Sequence, residues 1–375
     1  MLSPATTKPK SRAAKERRWS PRMWAGMRLG TWLALLIRNR FLVSPKFWFK
    51  AFTITLAAAF NSVMSWLERL FFGAAVRRTK PDPQPLIILG HWRTGTTWLH
   101  ELLSLDDQFT SPSTYQAMAP NHFLLTKAWA TRLLFWMLPS RRPMDNMPVG
   151  WDRPQEDEFA LCNLGEPSPY LMVAFPNNGP VFEEYLTLDV PPAAVERWKR
   201  TLYWFLQKVT YAHPKRIIIK SPTHTARVRT LLEMFPEARF VYLVRDPYVL
   251  FPSTVNLWSR LSDSHGLQKP TYAGIEEYVF RTFTQMHERF ERDRSLIPPG
   301  RLYELRYEDL VQAPLERLSE IYEQLNLGDF GHVRPLLEQF VSENADYQTN
   351  HYHISPETRA EIARRWAPYI AQHGY

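Results

Sequence analysis

The chain has 375 residues, 45% of them hydrophobic and 14% aromatic, which is enough to bury a large core and too apolar for wholesale disorder. Its single cysteine, Cys162, excludes an intrachain disulfide and a cysteine-based zinc site, and the eleven histidines form no HExxH-type pattern, so no metal is expected. The net charge is +9, but twelve of the 46 lysines and arginines and only one of the 37 acids lie in residues 1–50; that segment nets +11 and the rest −2, which argues against a nucleic-acid-binding body.

Residues 1–22 read as a basic, disordered tail, and residues 23–80 as a helical extension with helices over 23–37 and 47–72. The positives are interleaved with Trp19, Trp24, Trp32, Phe41, Phe47, Trp48 and Phe49, the composition of a segment lying on a membrane. This predicts contact with an anionic membrane surface through residues 15–50. The uncharged run 51–67 sits at the short end of the spanning range of about 17–25 residues. Packing on the body is the favoured reading for it, ahead of an interfacial position and of a true span. No cleavage pattern follows a short apolar core, so no signal peptide is expected. With no disulfide available, a cytoplasmic protein is expected, peripheral on the cytoplasmic face of the membrane.

A turn-rich linker, 80–85, opens the main domain, residues 81–375. Four short apolar runs are predicted strands: 86–89, 216–219, 240–244 and 302–305. Helices are predicted over 96–103, 224–235, 248–260 and 314–326. Asp152 is a candidate N-cap for a further helix, with Gln155 three residues on. Apolar β runs alternating with helices predict an α/β fold, a P-loop-type three-layer sandwich around a central parallel sheet, plus the N-terminal helical extension. Ligands of such sheets bind beyond the carboxyl ends of the strands, where the motifs fall.

The first is Gly90-His91-Trp92-Arg93-Thr94-Gly95-Thr96-Thr97, in the frame G-x4-G-x-[ST] between a strand and a helix. Its backbone N–H groups can cradle an anionic oxygen cluster. The P-loop lysine position is Thr96, however, and the positive charge sits inside the loop at Arg93. The second is 240–247, ending in Val244-Arg245-Asp246-Pro247, with Ser253 eight residues after Arg245. An arginine fork and a hydroxyl suit a dianionic phosphate. The third is Tyr307-Glu308-Asp309-Leu310.

The sequence Arg93-Thr94-Gly95-Thr96-Thr97-Trp98 resembles the 5′-phosphosulfate loop of PAPS-dependent sulfotransferases (PAPS is 3′-phosphoadenosine 5′-phosphosulfate). Arg245 and Ser253 match that family's 3′-phosphate spacing, and Tyr307 its late Y-E-D-L element. The likeness covers roughly residues 85–330 and is nearest the bacterial sulfotransferase-like branch. It implies that 81–375 is the catalytic domain, that PAPS is the donor, and that Gly90, Arg93, Thr94, Gly95, Thr96, Thr97, Trp98, Arg245, Ser253 and Tyr307 bind it. Tyr307 would stack on adenine. The basic Arg-Lys-Gly element near the C-terminus of the aryl branch is missing; His351, His353, Arg359, Arg364 and Arg365 are the nearest substitutes.

The reaction implied is transfer of a sulfuryl group to a hydroxyl or amine. Arg93 is the candidate for charge on the leaving group, and Lys220, ending its strand, for the sulfuryl oxygens. The general base stays open among Glu158, which is favoured, Glu156 and His224; His91 and His100 are weaker candidates. Aromatics at Tyr115, Phe123, Trp129, Phe135, Trp136, Trp151, Tyr170, Phe175, Phe182 and Tyr185 are expected to form an acceptor pocket and lid. The acceptor, whether small molecule, lipid or carbohydrate, is not named by any motif. Two other readings compete: an atypical P-loop kinase, and a non-catalytic nucleotide-binding protein at the membrane.

Overall fold

The computed structural model describes residues 22–134, 150–344 and 352–375; the basic tail below residue 22, Phe135, Trp136 and His351 lie outside them. Five strands, β1 (Leu86–Leu89), β2 (Phe109–Thr110), β3 (Arg216–Lys220), β4 (Arg239–Val244) and β5 (Leu302–Arg306), form one sheet in the order β2-β3-β1-β4-β5. Every pairing is parallel. Side chains alternate across the strands with period two, so each strand feeds two cores. Leu86, Ile88, Ile218, Val241 and Leu243 point to one face; Ile87, Leu89, Ile219, Phe240 and Tyr242 point to the other. Burial on both faces explains why the strands read as unbroken apolar runs.

The chain enters through α1 (Leu29–Arg38) and α2 (Trp48–Arg78), and α3 (Thr96–Leu103) follows β1. Between β2 and β3 come α4 (Thr114–Met118), α5 (Phe123–Leu133), α6 (Asp157–Leu164) and α7 (Pro192–Ala212). Then α8 (Val228–Met234) leads to β4, and α9 (Pro247–His265) and α10 (Ile275–Asp293) lead to β5. The C-terminal part holds α11 (Tyr307–Gln312), α12 (Pro314–Gln324), α13 (Arg334–Glu343), α14 (Pro356–Arg365) and α15 (Ala367–His373).

Two predicted boundaries are corrected. The run 224–235 is a 3-10 turn, Pro222–Ala226, followed by α8, because Pro222 starts a tight turn directly off β3. The helix expected after Asp152 begins at Asp157 with Glu156 as its N-cap. Asp152 is exposed and pairs with Lys127 at 2.8 Å.

The N-terminal helices share the core of the sheet's helices: Met23, Trp24, Trp32, Ile54 and Ala58 all belong to it. Trp24 donates from Nε1 to the His265 carbonyl at 3.2 Å, and Asn61 donates to the carbonyls of Ala25 and Met27. Farther along α2, Glu68 forms a buried ion pair with Lys208 of α7 and accepts hydrogen bonds from the Leu124 and Leu125 amides. The stripe of α2 that faces protein is small or polar in its middle, with Ala58, Asn61, Ser65, Glu68 and Gly73 between Ile54 and Val76. The bulky apolar residues face outward, with Trp48, Trp66 and Phe71 exposed by 64%, 64% and 67%. This corrects the expectation that 51–67 is a buried helix. The run Pro45–Arg78 is long and apolar enough to cross a membrane, and only 22% of its apolar window is buried.

Candidate active site

Glycine geometry shapes the loop between β1 and α3. Gly90 has φ +146°, and a Cβ there would lie 2.9 Å from the Leu243 carbonyl oxygen. Gly95 has φ +96°, and a Cβ there would run into the ring of Tyr307. Between them Thr94 caps the turn, its amide and hydroxyl both donating to the His91 carbonyl, and Arg93 takes φ +74°. Gly95 is the N-cap of α3 and brings no capping side chain. The first amides of α3 therefore face the mouth of the sheet with a partial positive charge.

The second motif comes to the same place. Arg93 donates from Nε to Ser253 Oγ at 2.9 Å, and Arg245 donates from Nη1 to the Arg93 carbonyl at 2.8 Å. The Arg245 guanidinium lies 4.1 Å from the centre of the Tyr307 ring. Arg93, Gly95, Arg245, Ser253 and Tyr307 thus form one cluster although three separate strands deliver them. Thr96 is buried at the start of α3, and Trp98 stacks on Phe340 at 5.5 Å. The Arg245 backbone is held from the C-terminus, where the Tyr369 hydroxyl accepts from its amide and donates to its carbonyl, both at 2.9 Å.

On the other side of the loop, Lys220 Nζ lies 3.3 Å from Thr97 Oγ1 and 2.8 Å from Glu156 Oε1. The second oxygen of Glu156 accepts from the Tyr170 hydroxyl at 2.6 Å, and that hydroxyl accepts from Trp92 Nε1 at 2.7 Å. Burial and the neighbouring Glu156 raise the Tyr170 pKa well above its ordinary value, so its hydroxyl stays a donor. The Glu156 side chain keeps 13% of its surface open.

The favoured base, Glu158, is placed differently. It is fully buried and accepts from Arg227 at 2.6 and 3.2 Å, from Ser168 at 2.6 Å and from Thr223 at 3.0 Å. Burial alone would raise its pKa, but the Arg227 guanidinium and these hydrogen bonds outweigh it and hold the carboxyl below its ordinary value. Both oxygens are consumed inside the protein, so Glu158 ties α6 to the turn after β3. His224 is likewise enclosed, with Nε2 on Asp157 at 2.7 Å and its ring edge-on to Trp198. His91 is buried against Trp92 and Phe283, and burial lowers its pKa to about 3. His100 is buried on α3.

The expected acceptor aromatics mostly serve the core. Tyr115 packs on Trp151, Phe123 on Phe205, and Phe175 is buried. Tyr185 is buried under Arg227, which donates to its carbonyl, while Trp129 points outward and Phe182 lies under Arg38. Only Tyr170 of the described set reaches the mouth beside Glu156. Among the C-terminal basic residues, Arg364 pairs with Glu361, Arg365 with Glu277, and Arg359 lies over Tyr248. Asp157, Arg227 and Tyr369 were missed in the sequence, since no local spacing links them to their partners.

Comparison with known proteins bears on this arrangement. A profile described as the sulfotransferase family matches residues 85–330. Proteins of Mycobacterium bovis and Mycobacterium tuberculosis, each named omega-hydroxy-beta-dihydromenaquinone-9 sulfotransferase Stf3, are 44% identical over 366 residues, covering 97% of this chain and 94% of theirs. Among solved structures, sulfotransferase STF9 of Mycobacterium avium aligns with a TM-score of 0.67 at 19% identity, covering 91% of both chains. Sulfotransferase STF1 of Mycobacterium tuberculosis aligns with a TM-score of 0.59 at 17% identity and the same coverage. These two likenesses concern the fold.

Proposed function

The chain belongs to the sulfotransferase family, and from that premise we propose that its donor is PAPS and its acceptor the hydroxyl of a quinone lipid met at a membrane surface. The observation that carries the donor assignment is the meeting of Arg93, Arg245, Ser253 and Tyr307 around the uncapped start of α3. An adenylated donor with anionic groups at both ends needs two cationic contacts in one cleft, and the cluster supports that demand. The glycines at 90 and 95, with Thr94, Thr96, Thr97 and Trp98, belong to the same binding surface.

PAPS would supply the activated sulfuryl group, with the nucleotide bisphosphate PAP as leaving group. Arg93 and the amides of Thr96 and Thr97 would stabilise charge on the leaving oxygen. Arg245 and Ser253 would hold the 3′-phosphate, and Tyr307 the base. Lys220 would face the sulfuryl oxygens; it holds one oxygen of Glu156, and Tyr170 holds the other. A carboxylate oriented at both oxygens and still open to solvent suits a general base. Glu156 would take the acceptor's hydroxyl proton as the new oxygen–sulfur bond forms. Glu158 and His224 act as supports, not as bases.

The lipid acceptor is suggested by the name of the 44% identical relatives and supported by the apolar outer stripe of α2. The stripe's flanks carry Lys46, Lys50, Arg77 and Arg78, which suits peripheral binding on an anionic cytoplasmic leaflet. Calorimetry with PAP, ATP and GTP tests the donor: PAP should bind, and binding of ATP with no response to PAP would overturn the assignment in favour of the kinase. Competition of a hydroxylated quinol lipid, a water-soluble phenol and a sugar for sulfuryl transfer tests the acceptor. Preference for the phenol or the sugar would overturn the lipid reading.

A further inference from the structure

A cavity of about 840 Å³ opens between α1, α2 and the end of α6, and none of the residues of the Arg93–Glu156 mouth lines it. Its floor is apolar, with Met27, Leu35, Cys162 and Leu171. Three arginines also line it: Arg28 before α1, Arg38 at the end of α1, and Arg69 on α2. None of the three has a carboxylate partner among the described residues. Arg28 Nε is buried without a hydrogen-bond partner, and burial together with the charge of Arg69 lowers the pKa of Arg28. Arg38 rests over the Phe182 ring at 3.9 Å, which orients its guanidinium without neutralising it.

Two neighbouring guanidinium groups, Arg28 and Arg69, that repel one another beside an apolar floor are not a stability device. Like charges lining one cavity with no carboxylate beside them among the described residues suit an anionic occupant. The cavity wall includes Trp66, which belongs to the exposed apolar stripe of α2, and α1 adds exposed Leu33 and Ile37 beside it. An occupant must therefore present an anion inside and hydrocarbon at the rim.

We propose that this cavity binds the phosphate headgroup of one anionic phospholipid, with the acyl chains leaving along the apolar faces of α1 and α2. The inference rests on the proposed membrane seat of these helices and adds a specific headgroup site to it. The site would fix the depth and orientation of the protein on the bilayer. Its floor reaches Cys162 on α6 and Leu171 next to Tyr170, so lipid occupancy bears on the elements that hold Glu156 and its partner.

The test is flotation of the full chain with vesicles of phosphatidylcholine alone and of phosphatidylcholine with phosphatidylglycerol, at about 0.15 M salt, where diffuse attraction is screened beyond about 8 Å. The wild-type chain should bind both and prefer the anionic vesicles. Arg28→Gln/Arg69→Gln should lose about tenfold more of that preference than the control Arg77→Gln/Arg78→Gln, which removes the same charge at the end of α2. Thermal melting shows that both variants are folded, and binding to neutral vesicles should persist in both. Equal losses in the two pairs, or an undiminished preference in the first, would overturn the headgroup site while leaving the membrane seat standing. Failure of the wild-type chain to bind either vesicle would overturn the seat itself. If inorganic phosphate, but not chloride at equal ionic strength, abolishes the preference, the site belongs to a soluble anion and the lipid assignment falls.

Discussion

Replacing Glu156 or Glu158 by glutamine should produce opposite defects, although the two residues are neighbours on one helix start. Glu156→Gln keeps the shape, and its amide oxygen can still accept one of the two hydrogen bonds now made by Lys220 at 2.8 Å and Tyr170 at 2.6 Å. What it loses is the proton acceptor. General-base catalysis is worth about 10²–10⁴-fold, or about 3–5 kcal/mol of barrier, so kcat should fall by that factor. Glu158→Gln leaves the Arg227 guanidinium charged, fully buried and facing a neutral partner. Breaking such a pair costs about 3–5 kcal/mol of stability, a large share of what a domain has. The assay measures PAP release from PAPS with the acceptor alcohol that the wild-type chain turns over, PAP affinity by calorimetry, and thermal melting. Glu156→Gln should bind PAP normally, melt near the wild type and turn over slowly. Glu158→Gln should melt well below it. A Glu156→Gln variant with nearly wild-type kcat would refute the base assignment. A Glu158→Gln variant that is inactive yet as stable as the wild type would return the role to Glu158.

Gly95→Ala should weaken PAP binding by at least about tenfold, because a Cβ at φ +96° meets the Tyr307 ring; unchanged affinity would show that Tyr307 moves aside without cost. Tyr369→Phe removes both hydrogen bonds to the Arg245 backbone and should lower PAP affinity about fivefold, whereas Arg245→Ala should lower it about thirtyfold or more. Equal effects would mean that Arg245 acts only through its backbone. The protein should also be acid-labile: burial lowers the pKa of His265 and His91 to about 3 and that of His122 to about 4. Below pH 6.5 the unfolded chain takes up protons that the folded chain refuses until about pH 3–4. Stability is therefore complete above pH 6.5 and drains as the pH falls, by about 2 kcal/mol per histidine at pH 5. A melting temperature that stays flat from pH 7 to 5 would contradict the buried, neutral state of these rings.

The cluster of Arg93, Arg245, Ser253 and Tyr307 was legible in the chain because its parts are local. A glycine loop between a strand and a helix, and an arginine at a strand end with a serine eight residues into the next helix, are set by backbone geometry over short stretches. Parallel pairing then brings their ends together by rule. Which of the two glutamates stays open to the cleft was not legible. Glu156 and Glu158 sit two residues apart in the same helix start, and composition cannot tell which one faces the cleft. Ser168, Thr223 and Arg227 capture Glu158, and Lys220 and Tyr170 orient Glu156; Ser168 and Tyr170 come from the turn just after α6, but Lys220, Thr223 and Arg227 come from β3 and the turn beyond it, far along the chain. The aromatics of 112–190 misled for a similar reason, since a ring that lines a pocket and a ring that fills a core have the same sequence signature.

The parallel α/β architecture, the glycine-shaped loop after β1 with Arg245 and Ser253 as its partners, and the basic, aromatic character of the N-terminal region can all be read from short stretches of the chain. The direction in which α2 turns its faces depends on long-range packing. Its polar stripe is consumed by Asn61 and by the Glu68–Lys208 pair, so its bulky apolar residues are left outside. Burying two charges and an amide against α5, α7 and the N-terminal turn requires partners that sit far away in the chain, and hydrophobic periodicity carries no record of them.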